Sequence, residues 1–83
     1  MKRLFVGNLP FKTTDDSLAA FFGSIGKVSS ARVIFDRATG RSKGFGFVEM
    51  DDDLAVRAVN ELNDKELDGR NVRVSEAHER EQR

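Results

Sequence analysis

Residues 43–50 read KGFGFVEM. In an extended chain, alternate side chains point to opposite sides. Phe45 and Phe47 therefore share a face with Lys43 and Glu49, and Gly44, Gly46, Val48 and Met50 share the other. If the phenylalanine face were core, a lysine and a glutamate would be buried with it, and unpaired buried charge is too costly. The small and aliphatic face is the one expected to pack inward. Two large rings are left toward water.

The same pattern recurs on either side. Residues 3–9, RLFVGNL, alternate as a strand with Leu4 and Val6 on one side and Arg3 and Phe5 on the other, ending at Pro10. Thr14 suits a helix N-cap, and Asp15 and Asp16 in the first turn favour the helix dipole. Leu18, Phe21, Phe22 and Ile25 then fall on one helical face, with Gly23 and Gly26 as the expected stop. Residues 28–35, VSSARVIF, set Ala31 and Val33 against Ser30, Arg32 and Ile34, and a polar turn around Gly40 follows. Beyond residue 50, Asp51, Asp52 and Asp53 open a second helix whose apolar stripe is Ala55, Ala58, Val59 and Leu62, closed at Asn63. Asp68-Gly69 signals a tight turn. Residues 70–76, RNVRVSE, give a last strand with Val72 and Val74 inward.

The order is βαββαβ, the split βαβ or ferredoxin-like arrangement, an α+β fold. Right-handed crossovers put two helices on one face of a four-stranded antiparallel sheet and leave the other face open. Each strand's second face mixes charge with its apolar residues, so Phe5, Phe45 and Phe47 are expected to cluster on that open face. Leaving one Phe exposed forgoes about 1.5–3 kcal/mol of burial, and contiguous exposed apolar patches mark interfaces. Rings interleaved with cations suit stacked bases and phosphates.

The 83 residues make one domain without cysteine, so no disulfide or thiolate metal site supports it. The expected boundaries are residues 1–78 for the domain and 79–83 for a charged C-terminal tail. Zero net charge argues against a strong polyanion binder, but the charge is polarised. Segments 2–8, 28–37, 41–49 and 70–76 carry +2, +1, +1 and +1, while the second-helix region 51–68 carries −5. A local field of this kind steers a polyanion more than net charge does. No signal peptide opens the chain and no apolar run approaches 18 residues. The expectation is a cytoplasmic protein with no membrane role, or a nuclear one in a eukaryote.

LFVGNL (4–9) and KGFGFVEM (43–50) resemble the two ribonucleoprotein motifs of the RNA recognition motif (RRM) family. The second fits K/R-G-F/Y-G/A-F-V-x-F/Y at every position but the last, where Met50 replaces an aromatic on the inward face. The resemblance covers residues 2–77, and the short single-module chain resembles the bacterial members of the family, such as those of cyanobacteria, as well as domains cut from eukaryotic factors. It implies a single-stranded RNA-binding domain involved in RNA processing, stability or chaperoning. Single-stranded DNA is a second polymer the same face would suit. Phe5 and Phe45 should stack on successive bases, Phe47 should insert against the sugars between them, and Lys43 should pair with phosphate. Asn8, Arg73, Ser75 and Glu76 should offer edge contacts through side chain or main chain, with Arg3, Arg32 and Arg41 as further cations of the face. Asn63-Asp64 stands where the family commonly has Asn-Gly. The resemblance implies no cofactor, no catalysis and a monomer, with weak self-association as an alternative.

Other readings carry less. Asp51-Asp52-Asp53 could open a calcium loop, but the sixth and twelfth positions, which need Gly and Glu, are Val56 and Leu62. Residues 40–44, GRSKG, lack the phosphate-loop spacing and setting. His78 is the only histidine and has no catalytic or metal-ligating partner set. A ferredoxin-like enzyme such as an acylphosphatase is therefore a poor reading. A protein-interaction module using the phenylalanine patch or the acidic helices is the serious alternative.

Overall fold

The computed structural model describes residues 1–77. His78 and the expected tail 79–83 lie outside the described residues. The chain runs β1 (Lys2–Gly7), α1 (Asp15–Gly23), β2 (Val28–Phe35), β3 (Ser42–Met50), α2 (Asp52–Leu62), β4 (Glu66–Leu67), β5 (Arg70–Asn71) and β6 (Arg73–Glu76). The main sheet is antiparallel in the order β2-β3-β1-β6, so the two motif-bearing strands are its central neighbours.

The aliphatic faces meet the helices as expected. Leu4 and Val6 of β1, Val33 of β2, Val48 and Met50 of β3 and Val74 of β6 are buried with Leu18 and Phe22 of α1 and Ala55, Ala58 and Leu62 of α2. Met50 is wholly buried, so losing an aromatic there alters packing behind the sheet and leaves the open face intact. Gly46 is fixed by close approach, not by its turn chemistry. A Cβ on it would collide with the Arg32 carbonyl of β2, so the two strands can lie this close only over a residue without a side chain.

Thr14 caps α1 through a reciprocal capping box. Its Oγ1 accepts from the Ser17 backbone N–H at 3.1 Å, and Ser17 Oγ accepts from the Thr14 N–H at 3.0 Å. The helix ends at Gly23, but no left-handed glycine caps it. Ser24 is the C-cap in right-handed geometry, its hydroxyl donates to the Phe21 carbonyl at 2.9 Å, and Ile25 packs on the core from beyond the helix end. Asp51 begins α2 without a side-chain cap bond.

The last expected strand is split in two. Asp68 and Gly69 both take positive φ, +53° and +94°, which is the two-residue hairpin turn their sequence signals. That turn joins β4 to β5, so Arg70 and Asn71 pair with Leu67 and Glu66 and not with the main sheet. Val72 marks the change of partner: its N–H donates to the Lys65 carbonyl and its own carbonyl accepts from Asp64. Arg73–Glu76 then join β1. Asp64 adopts φ +68°, filling with an aspartate the left-handed position that glycine would take most cheaply. Asn63 does not merely end α2; its Oδ1 accepts from the Val74 N–H at 3.0 Å and ties the helix exit to β6.

Candidate nucleic-acid interface

Strand register fixes the layout of the open face. Across β2-β3-β1-β6, one row runs Arg32, Phe47, Phe5 and Ser75. The next row toward the β1 end holds Phe45, Gly7 and Arg73, and the row on the other side holds Ser30, Glu49 and Arg3. The three rings thus sit at the crossing of the two central strands. Phe5 and Phe45 lie nearly parallel, with centroids 5.6 Å apart and planes 30° apart. Phe47 stands edge-on to both, at 6.0 Å and 67° from Phe5 and 6.1 Å and 86° from Phe45. All three are half-buried, because each ring shields its neighbours. The cost of presenting them to water is therefore smaller than three isolated exposed rings would incur. Phe5 and Phe45 thus form a stacked pair, with Phe47 edge-on to both.

The cations occupy three kinds of position. Arg3 donates to Glu49 Oε2 from Nε and Nη2, both at 3.4 Å, and its guanidinium carbon lies 5.8 Å from the Phe47 ring centroid. Arg73 pairs loosely with Asp64 at 3.7 Å on an exposed edge. Arg32, Arg41 and Lys43 are exposed and form no ion pair among the described residues, so their charge is available to a polyanion. Lys43 lies near the start of β3, two residues before Phe45, and Arg41 in the β2–β3 turn held by the Asp36 N–H to Arg41 carbonyl bond.

Two expected contacts are committed elsewhere. The Asn8 amide donates to the Asn71 carbonyl at 2.6 Å, and its oxygen accepts from Arg70 at 2.7 Å. Its side chain clasps the end of β1 to the β4–β5 hairpin. Glu76 lies opposite Leu4 and turns to the helix side of the sheet, where it pairs with Lys2 at 3.5 Å. Only its main chain stays near the open face. The sequence reading also overlooked Ser30 and gave Glu49 no role beyond marking the wet face. With Arg3, Arg32 and Phe47 they line a notch of ≈ 340 Å³ beside the rings. Alternation placed each on this face, but their convergence depends on strand order and on the register shift between Val28 and Ser30.

An antiparallel sheet roofed by helices on one side and bearing an aromatic platform on the other defines a split βαβ domain built for surface recognition. The chain belongs to the RNA recognition motif family, whose profile matches residues 4–73. It is 53% identical over 79 residues to the 29 kDa chloroplastic ribonucleoprotein of Arabidopsis thaliana, covering 94% of this chain and 23% of that protein. It is 52% identical to the mitochondrial glycine-rich RNA-binding protein 4 of the same plant, covering 94% of this chain and 58% of that one. The chain therefore spans less than two thirds of the length of these relatives. Among solved structures, RNA binding protein PG1 superposes with a TM-score of 0.89 at 48% identity, covering 99% of this chain and all of that one. The Rna15 RRM with bound RNA (GU) superposes at 0.79 with 29% identity, covering 90% and 81%.

The relatives' chloroplastic and mitochondrial names overturn the cytoplasmic expectation. An organelle address is read from a targeting segment, and no feature of a folded sheet reports it. Among the described residues, no helix is long and apolar enough to cross a membrane.

Proposed function

We propose that this domain binds single-stranded RNA without catalysing a reaction on it. Bases stack on Phe5 and Phe45, Phe47 packs against the adjoining nucleotide, and Lys43 and Arg41 pair with phosphates. The observation that carries this reading is the half-exposed three-ring cluster on the unroofed side of the sheet. Base–aromatic stacking contributes about 1–3 kcal/mol per base, enough for two stacked bases to support modest single-domain affinity. The relatives named as RNA-binding proteins, and the Rna15 RRM solved with RNA, support the same assignment. The process served is RNA processing, stability or chaperoning, and the domain acts as a monomer.

A chemical-shift titration with a short unstructured RNA tests it. Shifts should concentrate on β1, β3 and the β2–β3 turn. Shifts confined to the α1 and α2 surfaces, or no response to RNA, would instead favour a protein-docking role.

A further inference from the structure

We infer that the notch lined by Arg3, Ser30, Arg32, Phe47 and Glu49 is a base-reading subsite that prefers guanine. The inference rests on the RNA-binding reading above and adds a specificity to it.

The notch adjoins the ring cluster: Arg32 and Phe47 lie in the row of Phe5, and Ser30, Glu49 and Arg3 in the next row away from Phe45. Its composition is unusual for a face that meets phosphates. Glu49 is the one acid in it, and an ionised carboxylate is acceptor-only. A phosphate placed here would face like charge. A base edge with N–H groups would not.

Only part of the carboxylate is used. Both bonds from Arg3 to this carboxylate fall on Oε2 and are long, at 3.4 Å, while Oε1 has no hydrogen bond among the described residues. Arg3 also pins the carboxylate beside the Phe47 ring, so the acceptor stands next to an aromatic wall. Arg32, directly across from Phe47 and one row from Glu49, is a donor with no ion-pair partner among the described residues.

A ligand edge that satisfies both sides must carry donors toward Glu49 and acceptors toward the arginines. Guanine does so best. Its N1–H and N2 amino group are adjacent donors that can meet a carboxylate, and O6 and N7 are the acceptors arginine favours. Cytosine and adenine each turn a single amino group to the acid, and uracil a single imino group. Single-stranded RNA leaves these edges free to be read.

The test measures binding of the whole chain to uridine octamers that are either all-uridine or carry one central G, A or C, using fluorescence anisotropy, for the unaltered protein and Glu49→Gln. A bidentate base contact contributes about 1–3 kcal/mol of discrimination, so the guanosine octamer should bind at least about fivefold tighter than the other three. Glu49→Gln should reduce that preference to within about twofold, because the amide offers one acceptor oxygen where the carboxylate offers two. Equal binding of all four octamers, or a guanosine preference that survives Glu49→Gln, overturns the inference and leaves RNA binding standing. Failure of every octamer to bind overturns both.

Discussion

The ring of Phe5 lies over Gly7 two residues along β1, so that a Cβ on residue 7 would stand 2.9 Å from Phe5 Cε2 and 3.3 Å from Cζ. The glycine is what allows the ring to lie down beside Phe45. Gly7→Ala should lift the Phe5 ring and break the near-parallel pair. The atom met is the far end of a side chain that can rotate, so the fold should persist. Binding of a short RNA should fall about fivefold or more, within the value of one stacked base, while the melting temperature moves by only a few degrees. Unchanged affinity would show that the stacked ring pair is not what holds the base.

Phe45→Ala separates platform from core. Phe45 is half-buried, and its removal forfeits ring–ring contacts with Phe5 and Phe47 that contribute about 0.5–1.5 kcal/mol per pair. Phe22 is wholly buried, and Phe22→Ala should cost about 3–5 kcal/mol. Denaturant unfolding should therefore rank Phe22→Ala well below Phe45→Ala in stability, whereas RNA affinity should drop in Phe45→Ala by about 1–3 kcal/mol. Equal destabilisation by the two would place Phe45 in the core.

Much of this was legible in the sequence. Charges interleaved with Phe5, Phe45 and Phe47 fixed which face is wet, because no core tolerates Arg3, Lys43 and Glu49 together. The aliphatic stripes of both helices named their core residues. What escaped depends on partners distant in sequence. The Asn8 bond to Asn71 spans 63 positions. The close approach of Gly46 to β2 is a relation between strands. The splitting of residues 70–76 depends on β4, too short to show periodicity. Glu76 is a different case: it is in phase with inward-facing Val72 and Val74, so its turn away from the rings was readable, and the family pattern outweighed it.

Lys43 supplies a test of the electrostatics. For single strands the slope of log affinity against log salt is about −0.7 per phosphate neutralised. Lys43→Ala should make the measured slope shallower by about that amount and weaken binding to all sequences alike. A slope identical to that of the unaltered chain would mean that Lys43 touches no phosphate.

Gly46→Ala probes the sheet from its other side. Residue 46 points away from the rings, opposite Val6 and Val33, and a methyl there meets backbone that cannot rotate aside. Overpacking of this kind costs about 1–3 kcal/mol. Thermal unfolding should show a clear loss for Gly46→Ala against the small change expected for Gly7→Ala, although both replace a motif glycine in a central strand. Similar melting temperatures for the two would mean that β2 can shift away from β3.

Asn8 decides between contact and clasp. Its backbone is left-handed, φ +60°, a conformation asparagine tolerates better than alanine, and both ends of its amide are held by Asn71 and Arg70. Asn8→Ala should lose two hydrogen bonds, each contributing about 0.5–1.5 kcal/mol, and add backbone strain. Asn8→Gly should lose the same bonds without the strain and so be the more stable of the pair. Both should loosen the β4–β5 hairpin, seen as faster amide exchange at Val72, while RNA affinity at low temperature changes little. A large loss of affinity in a well-folded Asn8→Gly would mean that the amide leaves Asn71 to meet RNA, and that the clasp describes only the unbound domain.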